Sequence, residues 1–510
     1  MKTTRRNLLK AGLAAGLAVP FLSDLSIAKT LPTPTWQKLP FWKGFNLLEK
    51  FMIPWSNGPF QETDFQMIQE LGFNFVRLPM DYRTWIVDKD WRKINDNILK
   101  EIDDAVTYGE KYGIHINMNF HRAPGWTVAS PAEEKSVWTD PEALEVCALH
   151  WATFAKRYKK FSNEQVSFNL FNEPTTVDPE RYMIVHRTLV DAIRAEDSNR
   201  LIICDGTEYA AKPFLPLVEL KVAQATRGYA PGEISHYQAS WAGGENFPYP
   251  TWPTVTINGL VPSVSKSELP EESRKPLAIE GPFSSATKLR LHVGMVSSRS
   301  KLAVTADGKT IFERQFDPGP GEGEWKKSIY HEQWNMYQNL YDSDYETTIP
   351  AGTKMVTIFV PEGDWIALTA IGLTSEKHGK EIAVEASSAW GQKSSELKYR
   401  ETASKAELTG GMVRDRDWLK RTMIEPWKEL EKAGSGIMVG EFGSFNKAPH
   451  DVVLHWLSDS IDNWNEAGWG YAMWNFRGSF GILDSERNDV DYENFHGHKL
   501  DRKLLELMRK

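Results

Sequence analysis

The chain has 510 residues and a formal net charge of −8, with 41% hydrophobic and 25% charged residues. That is the composition of a soluble globular protein, and its acidic balance disfavours nucleic acid and anionic polysaccharides as partners. The chain is longer than a usual single domain of about 50–250 residues, so a second folded unit or large loop insertions are expected.

The first segment reads as an address. Thr4-Arg5-Arg6-Asn7-Leu8-Leu9 resembles a twin-arginine signal, a weakly apolar stretch runs from Ala11 to Leu22, and Ser26-Ile27-Ala28 is a small-x-small cleavage site. Residues 1–28 are therefore expected to direct export to the periplasm or the medium. The competing reading, a short membrane anchor, is disfavoured because the stretch is short for a stable span. Removing the leader takes away more basic than acidic residues, and the more negative surface suits neutral sugar polymers. No later apolar run is long enough to span a bilayer, so no membrane contact is expected once the signal is gone.

Beyond the leader, strand-like apolar runs alternate with amphipathic helical patterns, the order of a parallel α/β fold. The predicted strands are Lys43–Leu47, Asn74–Pro79, Ile114–Phe120, Gln165–Phe171, Leu201–Asp205, Ile234–Gln238, Gly436–Glu441 and Tyr471–Asn475. They number eight, as a closed barrel requires. Asn95 caps a helix with apolar face Ile98, Ile102, Ala105 and Val106, ended by Gly113. Pro141 starts another, with Leu144, Leu149, Trp151 and Phe154. Asp415 caps a third through Trp418, Leu419, Met423 and Leu430, which Pro426 is expected to kink before Gly434. Cys147 and Cys204 form no disulfide framework and are expected to be buried free thiols.

One gap breaks the rhythm, from Ala242 to Ser435. Within it Leu289, Leu291, Val293 and Met295 alternate at period two. Leu302 and Val304 lead into Asp307-Gly308, a hairpin signal, and Val356, Ile358 and Val360 alternate again. The fold class is thus a (β/α)8 TIM barrel over 36–254 and 411–510, with an inserted β-sandwich-like domain, 255–410, between strand six and helix six. Glu385 to Leu408 is polar and reads as linker. Trp325, Tyr330, Trp334, Tyr337, Tyr341 and Tyr345 of the insert could stack on sugars, but filling its core is the favoured reading.

Two carboxylates stand out by position. Glu173 ends strand four in Asn172-Glu173-Pro174, and Glu441 ends strand seven in Val439-Gly440-Glu441-Phe442-Gly443. Both would face one cleft at the carboxyl end of the barrel. Two such groups about 5–5.5 Å apart across a glycosidic bond can cleave it with retention.

At these motifs the chain resembles glycoside hydrolase family five, the cellulase-type members with both catalytic glutamates on strands four and seven. The resemblance implies Glu441 as nucleophile, Glu173 as acid/base, and six supporting positions. Arg77, in Val76-Arg77-Leu78-Pro79, would orient Glu441, and Asn172 would bind the sugar 2-hydroxyl. His121, after Asn119-Phe120, and His236 would bind hydroxyls or tune the acid/base. Tyr237 would bond the nucleophile, and Trp474, in Met473-Trp474-Asn475, would floor the reacting ring. The family separates its strand-six His and Tyr by one residue, whereas His236 and Tyr237 are adjacent. Trp126, Trp138, Trp241 and Trp252 are candidates for outer subsites.

The expected function is a retaining β-glycoside hydrolase acting on β-glucan-type polysaccharide or oligosaccharide, an endo-β-1,4-glucanase by the family's commonest activity. The alternatives are a β-mannanase, an exo-β-glucanase or a transglycosylase on the same site, and a non-enzymatic carbohydrate-binding barrel. No cofactor and no catalytic metal are expected. Strand one ends without a histidine pair, and His496-Gly497-His498 has metal-ligand spacing but lies beyond strand eight.

Overall fold

The structure, a computed structural model, describes residues 33–510 apart from positions 54, 176, 389, 391 and 392. The expected leader lies outside the described residues. Eight parallel strands close into a barrel: β1 Lys43–Asn46, β2 Phe75–Asp81, β3 His115–Ala123, β4 Val166–Asn169, β5 Ile202–Asp205, β6 Ala223–Gly228, β7 Ile437–Phe442 and β8 Gly470–Met473. Each pairs with its sequence neighbour, and β8 pairs with β1. Seven strands fall where the sequence pattern puts them. Strand six does not: it is Ala223–Gly228, and Gly232–Ser235 is a single helical turn beyond it. Its sequence, Ala-Gln-Ala-Thr-Arg-Gly, carries no large apolar residue, whereas each of the other barrel strands has at least one.

Capping residues set the helices. Asn95 accepts from the Asn97 N–H to open Asp96–Tyr112, and Gly113 closes it at φ 66°. Asp140 accepts from the Ala143 N–H ahead of Pro141 at the head of Pro141–Tyr158. On that helix Trp151 and Phe154 are buried, but Leu149 is 40% exposed and faces away from the barrel. Asp415 caps Arg416–Leu419, which passes through a π-helical turn, Lys420–Ile424, into Glu425–Lys432 with Pro426 in its first turn. The break sits where the proline lacks a donor. Among the described residues no helix is long and apolar enough to cross a membrane.

Alternation along the strands divides the barrel interior into two storeys. Phe75, Ile203, Ala223, Ala225, Met438 and Ala472 pack with Trp42 as an apolar cluster. Two residues further along their strands come Arg77, Asp205 and Arg227, all buried. The rim where active sites of such barrels form is therefore polar and charged.

Between β6 and β7 the chain builds two further sheets. One runs from Lys327–His331 through Met336–Ile349, Thr287–Ser297, Trp365–Ser375, Glu381–Ser387 and Thr254–Asn258 to Met412–Arg414. The other joins Lys309–Phe316, Ser300–Ala306, Met355–Phe359, Leu277–Glu280, Glu396–Glu401 and Ala406–Gly410. Leu289, Leu291, Val293, Leu302, Val304, Val356 and Ile358 share one buried cluster. Asp307 and Gly308, both at positive φ, turn the hairpin between Ala306 and Lys309. The stretch expected as linker contains three strands; Glu396–Glu401 reads as polar because alternate residues face solvent while Leu397 and Tyr399 are buried. Of the insert's aromatics, Tyr341 is buried and touches Phe316 and Trp325, whereas Tyr330 and Trp334 are 47% and 53% exposed.

Candidate active site

The site grows out of two irregularities in the barrel ladder. Val439 pairs with Thr226 and Glu441 with Arg227, so Gly440 is an extra residue that re-aims the glutamate. Met80 pairs with Phe120 and Asp81 with Arg122, so His121 is likewise bulged out of register. Glu173 lies four residues past the end of β4 at φ 49°, a left-handed conformation that a glutamate adopts only when its surroundings impose it. Here the Glu173 N–H is held by Asp205 Oδ2 at 2.9 Å.

Glu441 is 3% exposed and has charged and polar partners on several strands. Arg77 Nη1 donates to its Oε1 at 2.5 Å, and the Tyr229 hydroxyl donates to Oε2 at 3.2 Å. Arg77 is fixed in turn by Asn46 at 2.9 Å, Asn169 at 3.0 Å and Asn172 at 2.9 Å. Asn46 also donates to the Gly440 carbonyl at 3.2 Å, which ties the bulge to β1. Arg227 Nε donates to Glu173 Oε1 at 2.8 Å, and its Nη2 lies 3.3 Å from Glu441 Oε1. One guanidinium therefore touches both glutamates.

Burial pushes the Glu173 carboxyl up to about 7, and the negative charge of Glu441 adds to the shift while Arg227 opposes it. Burial and the positive charges of Arg77 and Arg227 hold His121 well below the ordinary histidine range, so its ring is neutral. Its buried Nδ1 has no partner among the described residues. Burial, then the charges of Glu441 and Glu173, push the Tyr229 hydroxyl well above its usual value and keep it a donor.

The sequence-derived residues divide accordingly. Arg77, Asn172, Glu173 and Glu441 meet in one network. His121 and Trp474 stand together on one wall, their ring centres 5.5 Å apart. His236 is not on a strand, but its ring lies 5.1 Å from that of Tyr229, and Glu441 is the charge acting on it. Tyr237 turns away towards Tyr249, 6.2 Å off, and Tyr229 is the tyrosine on Glu441. Sequence reasoning missed Asp205, Arg227 and Tyr229. The signal was present: Arg227-Gly228-Tyr229 has the one-residue separation that His236-Tyr237 lacks, and period two puts both side chains on one face. Trp138 and Trp252 are buried at 8% exposure, and Trp126 donates to the Asn172 carbonyl at 2.8 Å. Trp241 is 64% exposed, edge-on to Phe445. His496 and His498 pair separately with Glu70 and Asp484.

From Asn46 a recess of about 680 Å3 extends outward, lined by Glu49, Trp55, Asn57, Gln61, Asn475 and Arg477 among others. Its walls offer hydrogen-bonding groups and one exposed indole.

Fold and site thus define a (β/α)8 barrel with two glutamates, two arginines and a tyrosine converging at its carboxyl rim. Residues 36–236, which carry the first six strands of the barrel, match the family model for cellulase, glycosyl hydrolase family 5. Endoglucanase C of Acetivibrio thermocellus is 28% identical over 185 residues, 36% of this chain and 53% of that protein. A β-xylosidase of Phanerodontia chrysosporium is 25% identical over 158 residues, 30% of this chain and 33% of that one. The chain thus spans about half the length, or less, of these curated relatives. A crystal structure of a glycoside hydrolase matches with TM-score 0.59 at 24% identity, covering 92% of this chain and 98% of that one. Endoglucanase Cel5A of Thermotoga maritima matches at 0.50 and 17% identity over 92% and 97%. At these identities the two structures speak for the fold.

Proposed function

We propose that the protein is a retaining β-glycoside hydrolase acting on a β-glucan-type polysaccharide or oligosaccharide, with endo-β-1,4-glucanase activity as the leading assignment. The observation that carries this reading is Glu441 held between Arg77 and Tyr229 while sharing Arg227 with Glu173. Arg77 balances the charge of Glu441 and Tyr229 fixes its free oxygen, which leaves a directed carboxylate to attack an anomeric carbon. Glu173, whose carboxyl is pushed up to about 7, carries a proton for the leaving oxygen below that pH. The C–O bond breaks as the Glu441 ester forms. Water then attacks the ester, gives its proton to Glu173 and frees Glu441.

The remaining residues suit a sugar. Asn172 turns its amide oxygen to Arg77 and Arg227, leaving its NH2 group as a donor for a ring hydroxyl. Neutral His121 serves the same purpose, and Trp474 presents a flat face to the C–H side of a pyranose. The polar recess beyond Asn46 has room for further sugar units, which supports a chain-like substrate. The name of the matched endoglucanase C supports a glucan as substrate. The twin-arginine-like leader supports export to the periplasm or medium, where such polymers are met.

The test is a panel of β-glucans, mannan and aryl β-glycosides assayed with wild type and Glu441→Gln, with the anomer of the first product read by NMR. Release of β-product by wild type alone is expected. An α-product first, or equal turnover by the variant, overturns the assignment.

A further inference from the structure

The two-step scheme uses Arg77 and two glutamates, yet the cluster holds a second arginine and a third carboxylate. Asp205 ends β5 with its side chain fully covered, and Arg227 ends the inward face of β6. Arg227 Nη2 donates to Asp205 Oδ2 and, at 2.9 Å, to Asn172 Oδ1, while its Nε holds Glu173 at 2.8 Å. Asp205 accepts from the Glu173 N–H at 2.9 Å and from Asn169 Nδ2 at 3.0 Å. It thus grips Glu173 through the backbone as Arg227 grips it through the carboxyl. A buried ion pair contributes little net stability, because desolvation offsets attraction, so its presence beside the reacting groups calls for another reason.

The formal charges supply one. Before attack, Arg77 and Arg227 face ionised Glu441 and Asp205, with Glu173 protonated, and the cluster is neutral. After attack Glu441 is an uncharged ester and Glu173 has given up its proton, so the same two cations face Asp205 and Glu173, and the cluster is neutral again. The proton and the glycosyl group exchange places without leaving net charge in a buried site. Resting on the double-displacement reading above, we infer that Asp205 and Arg227 form a positioning pair that keeps the cluster neutral in both half-reactions and so lets Glu173 alternate between acid and base.

Among the described residues, Glu441 on β7, Asp205 on β5 and Arg227 on β6 act on Glu173 directly. Tyr229 after β6 is un-ionised, and Arg77 on β2 is committed to Glu441. His121 on β3 is neutral.

The pair makes opposite demands on its two single variants. Arg227→Met leaves Asp205 unbalanced, so the basic limb of kcat/KM is expected to move up by about 1 pH unit or more. Asp205→Asn leaves Arg227 unbalanced and is expected to move the same limb down. Arg227→Met with Asp205→Asn restores neutrality and is expected to return the limb towards wild type. On a 2,4-dinitrophenyl glycoside, whose departure needs no proton, Arg227→Met is expected to lower kcat at least about tenfold and to lower KM, as the glycosyl-enzyme accumulates. A merely structural pair would lower activity in all variants without opposed limb movements. Should Arg227→Met fold poorly by circular dichroism, Arg227→Lys, which keeps the charge, is expected to hold the limb near its wild-type position. Limbs that move together or stay fixed, or a double variant that restores nothing, overturn the inference. The Glu173 carboxyl followed by 13C NMR gives the same three shifts without turnover. A wild type inactive on every β-glycoside therefore sinks the functional reading, while the titrations still decide the charge balance.

Discussion

Glu173 is held at φ 49° with its N–H fixed by Asp205 and its carboxyl by Arg227. Strain of this kind costs about 1–3 kcal/mol and persists only where contacts impose it; here Asp205 and Arg227 supply those contacts. Glu173→Gln is expected to lose about 10²–10⁴-fold in kcat on glycosides with poor leaving groups and much less on 2,4-dinitrophenyl glycosides, measured side by side. In the proposed mechanism the carboxyl must carry its proton in the first step, and burial raises it to about 7. Activity on unactivated substrates is therefore expected to fall as pH climbs through about 7. The same upward shift means that this group costs the folded state stability as pH rises from about 4.5 to about 7, a slope that Glu173→Gln should remove from thermal melts. Tyr229→Phe deletes a hydrogen bond to a carboxylate worth about 1.5–3 kcal/mol, so a loss of roughly 10–100-fold in kcat/KM is expected with the fold intact.

At the scale of elements, the site depends on where strands break their own register. Gly440 is the extra residue that turns Glu441 into the cleft, and a Cβ there would stand 3.0 Å from Arg227 Nη1. Gly440→Ala is expected to displace the arginine or the glutamate and cost on the order of 10²-fold in kcat, with an unchanged far-ultraviolet circular dichroism spectrum. Gly228 works differently: a Cβ would meet Trp464 at 2.5 Å and Phe442 at 2.8 Å, so β6 lies tight against the helix His450–Ala467. These features explain which parts of the site were legible beforehand. Glu441 and Arg77 sit on strands whose apolar neighbours announce them. Arg227 and Tyr229 sit on and just past a strand of Ala, Gln, Thr and Gly, whose small inward residues suit the crowded barrel interior but give no hydrophobic signal. The period-two rule was sound there; the apolar run it needs was absent.

At the scale of the molecule, two separate hydrophobic clusters imply two cooperative units joined at the rim of the barrel. Arg414, at the insert's exit, pairs with Glu233 at 3.1 Å in the turn after β6, so the insert is anchored beside the site. Ile358 is fully buried in the sandwich. Ile358→Ala is expected to cost about 2–5 kcal/mol in the insert alone. Calorimetry should then show one transition moving down while the transition that abolishes activity keeps its midpoint; a single shared transition would mean the cores melt as one.

The sequence by itself determined what depends on local pattern. It determined the alternation of strand and helix that makes a parallel barrel, the helix starts at Asn95, Pro141 and Asp415, the β-rich insertion, and the glutamates at the ends of strands four and seven. Tertiary structure alone decided which groups meet. Arg227 is far from Glu441 along the chain and becomes its neighbour only through barrel closure, with Asp205 also on its guanidinium. Tyr237 was the expected partner of Glu441, but a helical turn carries it to Tyr249 and leaves Tyr229 in that place. A carboxylate's charge partners are set by distances of a few ångströms in space, and local pattern records direction along the chain, not distance across a closed ring.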